Sequence, residues 1–226
     1  VIALVTECGT KNTLRNIKIA MESGADAVMA TTPYYYPLDQ PSVLNYFTTL
    51  ADESELPLWL YHQPNDTKLS IEHDTLLKLS KHPNITGIKI STNDMLFYYR
   101  AVRLFDRSNA FSVLMAEDHS FLPALSLGGE GVVSFISNII PGTVIDLWEA
   151  INDNNSKKAM SAQTMIMDCF EAFFTLENNN PICACKLLLR ERGVFSSELT
   201  TDPLPVLTDR EKQILIKRAK NLNLLV

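Results

Sequence analysis

The chain alternates short β-branched or apolar runs with amphipathic stretches, and this rhythm limits the folds open to it. Residues 1–5, 27–31, 58–61, 85–90, 112–115 and 132–135 read as strands. Between them, 13–22, 42–52, 71–81 and 94–105 carry apolar residues at helical spacing. Ser70 is positioned as the N-cap of the third stretch, and Gly24 stops the first. Strands separated by helices predict βαβ units and a parallel sheet, because parallel neighbours need a long crossover between them.

The rhythm stops near residue 141. From there 144–152, 156–176, 181–190 and 209–222 read as helices, broken at 178–181 and 201–205, where Asn and Pro cluster. The chain therefore divides into an α/β part, 1–140, with six βα units, and a helical part, 141–226. The second part holds the last barrel helix and a C-terminal extension.

Six βα units fit an open doubly wound sheet or a (β/α)8 barrel lacking its first two units. A nucleotide-binding open sheet carries a glycine-rich turn after its first strand. Here that turn, 6–13, contains one glycine, Gly9, and the barrel is preferred. Chemistry in a barrel sits where strands end at the carboxyl face.

The composition, 46% hydrophobic and 20% charged in 226 residues, is that of a globular chain with a large core. A formal net charge of −6 gives no support for nucleic-acid or anionic-membrane binding. No run approaches the ~20 apolar residues that span a bilayer. Four cysteines, Cys8, Cys169, Cys183 and Cys185, are too sparse for a disulfide framework, and Cys183-Ala184-Cys185 lacks metal-pair spacing. Buried, reduced thiols and a start directly in a strand, with no leader, lead to the expectation of a cytoplasmic protein without metal or cofactor.

Lys89 stands out within Ile85-Thr86-Gly87-Ile88-Lys89-Ile90, a run that reads as a buried strand. A strand lysine is more often an edge or snorkelling residue. Burial, however, lowers an ammonium's pKa, and the neutral amine attacks carbonyls to form a Schiff base. The preceding strand ends in Tyr61, a proton carrier in reach of such chemistry.

Thr32-Pro33-Tyr34-Tyr35, Tyr61-His62-Gln63-Pro64, Gly87-Ile88-Lys89 and Gly128-Gly129-Glu130-Gly131-Val132-Val133-Ser134 occur in this order, with Asn180-Pro181 and Lys186 in the tail. Together they resemble the dihydrodipicolinate synthase / N-acetylneuraminate lyase family. The resemblance implies a TIM barrel with a helical C-terminal extension, and class I aldolase or lyase chemistry on pyruvate or the pyruvate half of a keto acid. It makes Lys89 the Schiff-base lysine, Tyr61 the general acid/base, and Tyr35 a catalytic tyrosine lent to a neighbouring subunit. Val133, with Ser134 beside it, corresponds to backbone lying against bound pyruvate. A homodimer or homotetramer is implied as well.

The resemblance also has departures. The loop that holds the pyruvate carboxylate would lie upstream of Val1. Asp66 stands where dihydrodipicolinate synthases carry a carboxylate-binding arginine, and an aspartate repels a carboxylate. Lys68 is the nearest cation, without the arginine's bidentate fork. Ser91 and Glu117 instead offer hydroxyl and carboxylate groups suited to a polyhydroxylated aldehyde, while Asp118 reads as a helix cap. His62, where an asparagine is commoner, is expected to bond a loop carbonyl. The leading expectation is cleavage or formation of a 2-keto-3-deoxy sugar acid or a related hydroxy keto acid. The alternatives are dihydrodipicolinate synthase and a non-catalytic barrel remnant.

Overall fold

The computed structural model describes residues 1–105, 111–177 and 180–225. Two compact units divide the chain, Val1–Val133 and Ser134–Val226. The first contains β1 (Ile2–Leu4), α1 (Thr10–Glu22), β2 (Ala27–Thr31), α2 (Gln40–Glu53), β3 (Leu58–His62), α3 (Pro64–Thr67), α4 (His73–Leu79), β4 (Ile85–Ile90), α5 (Met95–Arg103), β5 (Ser112–Met115), α6 (Phe121–Ser126) and β6 (Gly131–Val132). A 3-10 turn, Asp118–Ser120, leads into α6.

The strands form one parallel sheet in the order β1-β2-β3-β4-β5-β6. A doubly wound sheet reverses its strand order at a switch point. The unreversed order found here is that of a barrel wall, so the sheet is a parallel half-barrel of six strands. Side-chain alternation assigns its faces. Val28, Ala30, Leu58, Leu60, His62, Ile88, Ile90, Val113 and Met115 share one parity and are buried, as are Val43, Phe47 and Leu50 of α2 and Leu76 and Leu79 of α4. Burying a side chain such as Phe47 or Leu50 contributes about 1.5–3 kcal/mol. The opposite parity carries Trp59, Tyr61, Lys89 and Leu114, all half-buried. β2 is buried along its whole length, whereas β3, β4 and β5 bury one face and leave the other for polar chemistry.

Several boundaries differ from expectation. The sixth strand is Gly131–Val132 rather than 132–135, because Phe135 has already turned to helical dihedrals (φ −72°, ψ −44°). The third long helix begins at His73 and not after Ser70. The amide of Ile71 donates to His62 Nδ1 (3.2 Å), while Gln40 bonds Ser70 O and the amide of Glu72, holding this stretch extended. Asp118 opens the 3-10 turn instead of capping a helix, and it is buried. Cys8 is exposed, contrary to the expectation of buried thiols; Cys169, Cys183 and Cys185 are buried, and all four are free. Gly24 does follow α1 at φ +80°, a left-handed conformation that costs glycine least.

The second unit contains α7 (Pro141–Asn152), α8 (Ser156–Phe174), α9 (Pro181–Glu191) and α10 (Asp209–Asn221). Its core joins Phe173, Leu187, Leu188 and Leu215 with Cys169 and Cys183. Asn180 caps α9 by accepting from the Cys183 amide (3.1 Å). Thr208 and Glu211 form a reciprocal capping box on α10. Asn178 and Asn179 of the expected break lie outside the described residues.

Candidate active site

Parallel pairing sets Tyr61 of β3 directly beside Lys89 of β4, and Trp59 beside Gly87 two residues earlier. The second pair makes the first possible. A Cβ on Gly87 would lie 2.4 Å from Trp59 Cζ3 and 2.7 Å from Ser112 O, so only glycine lets the indole lie across the sheet there. Lys89 Nζ then rests 3.9 Å from the centroid of the Tyr61 ring.

Burial lowers the Lys89 pKa from its ordinary value, and the charge of Glu117 partly opposes that shift. Burial also raises the Tyr61 pKa; a hydrogen bond with Ser91 lowers it, and the charges of Asp66 and Glu117 raise it further. The arrangement combines an amine more easily deprotonated than a free lysine with a phenol that keeps its proton at neutral pH.

Ser91 extends the same face. Two residues beyond Lys89, it shares that residue's parity, and its amide donates to His62 O (2.9 Å). Its buried hydroxyl donates to Glu117 Oε1 at 2.5 Å. Glu117 follows Ala116, whose amide donates to Ile90 O (2.8 Å) at the end of β5. The structure thus brings together Lys89, Tyr61, Ser91 and Glu117.

The other expected residues make local contacts of their own. Asp66 sits exposed on α3, where Oδ2 accepts from Gln63 Nε2 (2.7 Å). Lys68 bonds its ammonium to Asn65 O of the same turn. The Val133 amide is used by the sheet, donating to Met115 O (2.8 Å), and its side chain is 37% exposed. Ser134 opens the second unit, where Oγ accepts from the Ser137 amide (2.8 Å). Tyr35 is 72% exposed and meets Tyr36 edge to face.

His62 corrects an expectation. Its Nδ1 accepts from an amide rather than bonding a loop carbonyl, and its ring stacks on Phe97 at 4.1 Å. Burial and the nearby His73 push its pKa down to about 4, so it is a neutral anchor for the loop that carries Asp66. Gln63 was not singled out by the sequence. Its Oε1 is buried with no hydrogen-bond partner among the described residues, and its place between Tyr61-His62 and Pro64 was the available signal.

Among the described residues, no group of three or more His, Cys, Asp or Glu could hold a metal ion. No helix among them is long and apolar enough to cross a membrane.

The profile of the dihydrodipicolinate synthetase family matches residues 1–222. The 4-hydroxy-tetrahydrodipicolinate synthase of Syntrophus aciditrophicus is 32% identical over 225 residues, covering 100% of this chain and 75% of that protein. The chain thus spans about three quarters of that relative's length. The structure of dihydrodipicolinate synthase from Cyanidioschyzon merolae with lysine bound superposes with a TM-score of 0.90 at 30% identity, over 100% of this chain and 74% of that one. A Ruminococcus gnavus sialic acid aldolase carrying a catalytic-lysine mutation shares the fold (TM-score 0.89, 20% identity, 99% and 72% coverage). With this match along nearly its whole length, the chain belongs to the dihydrodipicolinate synthetase family of class I pyruvate-dependent lyases.

Proposed function

We propose that this protein condenses Lys89 with the keto group of pyruvate, or of a longer 2-keto acid, and makes or breaks the carbon–carbon bond to an aldehyde. The observation that carries this reading is the half-buried Lys89 amine, 3.9 Å from the Tyr61 ring centroid and with its pKa lowered by burial. The amine adds to the carbonyl and water leaves. The resulting iminium withdraws electrons from the neighbouring carbon, and Tyr61 handles the protons.

The aldehyde partner follows from the groups at the mouth. Asp66, Glu117 and the Ser91 hydroxyl offer acceptors to hydroxyl groups and no fixed cation to a second carboxylate. They favour a polyhydroxylated aldehyde, and hence a 2-keto-3-deoxy sugar acid. Ser134 and the Val133 backbone are assigned to the pyruvate end. Tyr35, 72% exposed, is assigned to the site of a neighbouring subunit in a homo-oligomer.

The second reading is 4-hydroxy-tetrahydrodipicolinate synthase, which is favoured by the names of the curated relatives. A dicarboxylate product of that kind needs an aldehyde that brings its own carboxylate, and Asp66 opposes such a partner.

Intact mass after incubation with pyruvate and borohydride tests the chemistry. The wild type should gain one reduced pyruvate adduct, and Lys89→Ala none. A folded wild type without adduct refutes the reading. Turnover of sugar-derived keto acids against a carboxylate-bearing aldehyde then separates the two substrate classes.

A further inference from the structure

The two ends of the Gln63 side-chain amide are in opposite situations. Nε2 donates to Asp66 Oδ2 at 2.7 Å, whereas Oε1 is buried with no hydrogen-bond partner among the described residues. A buried acceptor without a donor destabilises a fold. Turning the amide over would not relieve it, because Oε1 would then face the Asp66 carboxylate, acceptor against acceptor. Asp66 therefore sets the orientation of the amide. An apolar side chain at 63 would avoid the orphaned oxygen, so the glutamine serves something other than stability.

The backbone around the pair is already fixed. Gln63 follows the end of β3, two residues past Tyr61. Its carbonyl accepts from the Asp66 amide (3.2 Å), the Thr67 amide (3.0 Å) and the hydroxyl of the buried Thr67 (3.0 Å). The loop closes where the Ile71 amide donates to His62 Nδ1 at 3.2 Å. What this frame leaves free is the torsion of the exposed Asp66 side chain, and the Gln63 amide is the group that restrains it.

We propose that Gln63 is a positioning residue that holds the Asp66 carboxylate in one orientation, with Oδ2 engaged and Oδ1 presented to a hydroxyl group of the aldehyde substrate. The inference rests on the reading of Asp66 as a substrate contact. A neutral amide suits the task. It orients the carboxylate without cancelling its charge, so Oδ1 stays a strong acceptor, whereas a lysine or arginine at 63 would compete with the substrate for it. An acceptor ordered in advance spares the substrate the entropy of ordering it. Gln63 touches no substrate in this scheme; it acts through Asp66.

The test is Gln63→Met, which keeps the length of the side chain and removes both the tether and the orphaned oxygen. Its melting temperature should rise by about 2–4 °C. In condensation with pyruvate, KM for D-glyceraldehyde should rise about threefold to tenfold, the effect of a side chain that must be ordered on binding, while kcat changes less. KM for propanal, which has the same three carbons and no hydroxyl group, should stay at the wild-type value. In an Asp66→Ala background, Gln63→Met should add nothing to KM for D-glyceraldehyde. Stability and recognition moving in opposite directions is a result that a purely structural role for Gln63 would not give. A wild-type KM for D-glyceraldehyde in Gln63→Met overturns the proposal, as does a lowered melting temperature or an equal rise in KM for propanal. If Asp66→Ala alone leaves KM for D-glyceraldehyde unchanged, the reading of Asp66 fails and this inference with it. A wild type that traps no pyruvate under borohydride removes the Schiff-base reading, before any variant is made.

Discussion

His62 gives the fold a pH dependence that can be worked out from the structure. The ring is 2% exposed, stacks on Phe97 and accepts the Ile71 amide, and its pKa falls from the ordinary 6.5 to about 4. In the unfolded chain the imidazole takes a proton as pH drops through about 6.5; in the folded chain it stays neutral until about 4. The contribution to stability is therefore fully present above 6.5 and is lost as pH falls from 6.5 to about 4. At about 1.4 kcal/mol per pH unit, the full loss comes to about 3 kcal/mol. The assay is urea unfolding followed by Trp59 fluorescence at pH 7.5, 5.5 and 4.5, in a Trp148→Phe background so that the signal reports the unit carrying His62. His62→Asn keeps an acceptor for the Ile71 amide and removes the titration. Carboxylates held low by partners, such as Glu198 beside Lys212 and Arg190, titrate alike in both proteins and cancel in the comparison. Equal pH slopes for the two proteins would refute the assignment.

Gly87→Ala should destabilise the protein by about 1–3 kcal/mol, because the new methyl group meets Trp59 and a strand carbonyl. It should also slow adduct formation at Lys89; an unchanged melting temperature contradicts the packing account. Thr208→Ala removes the α10 capping box and should cost about 1 kcal/mol in urea unfolding, whereas no change would mean that the α10 terminus frays in the folded state. Asp66→Arg should raise kcat/KM for a carboxylate-bearing aldehyde about tenfold or more, a charged hydrogen bond contributing about 1.5–3 kcal/mol. No gain for that substrate would remove Asp66 from the specificity argument.

The strands and helices were legible because their signals are local. β2, β4 and β5 follow from β-branched runs, and α1, α2 and α5 from helical spacing with clear stops. The failures were long-range. Nothing near Ser70 announces that the Ile71 amide is taken by His62, nine residues earlier, and that bond delays α4 to His73. Similarly, 132–135 has strand composition, but Phe135 packs edge to face on Phe173 and Phe174 of the helical unit and leaves the sheet early. Lys89 and Tyr61 could be singled out by residue type and position. Their pairing depended on register, which a sequence sets only through the face it buries. The Ser91–Glu117 bond depended on register across a further strand, so both residues were identified as substrate contacts without their mutual contact being visible.

That contact ties the charge of the site to its chemistry. Glu117 raises the pKa of Lys89 against the lowering by burial, so the resting amine stays protonated more readily than burial alone would allow. Removing that charge in Glu117→Gln should therefore lower the Lys89 pKa further, so that borohydride trapping of pyruvate reaches its full rate at a lower pH than in the wild type. An unchanged pH profile of trapping would refute the coupling between the two side chains.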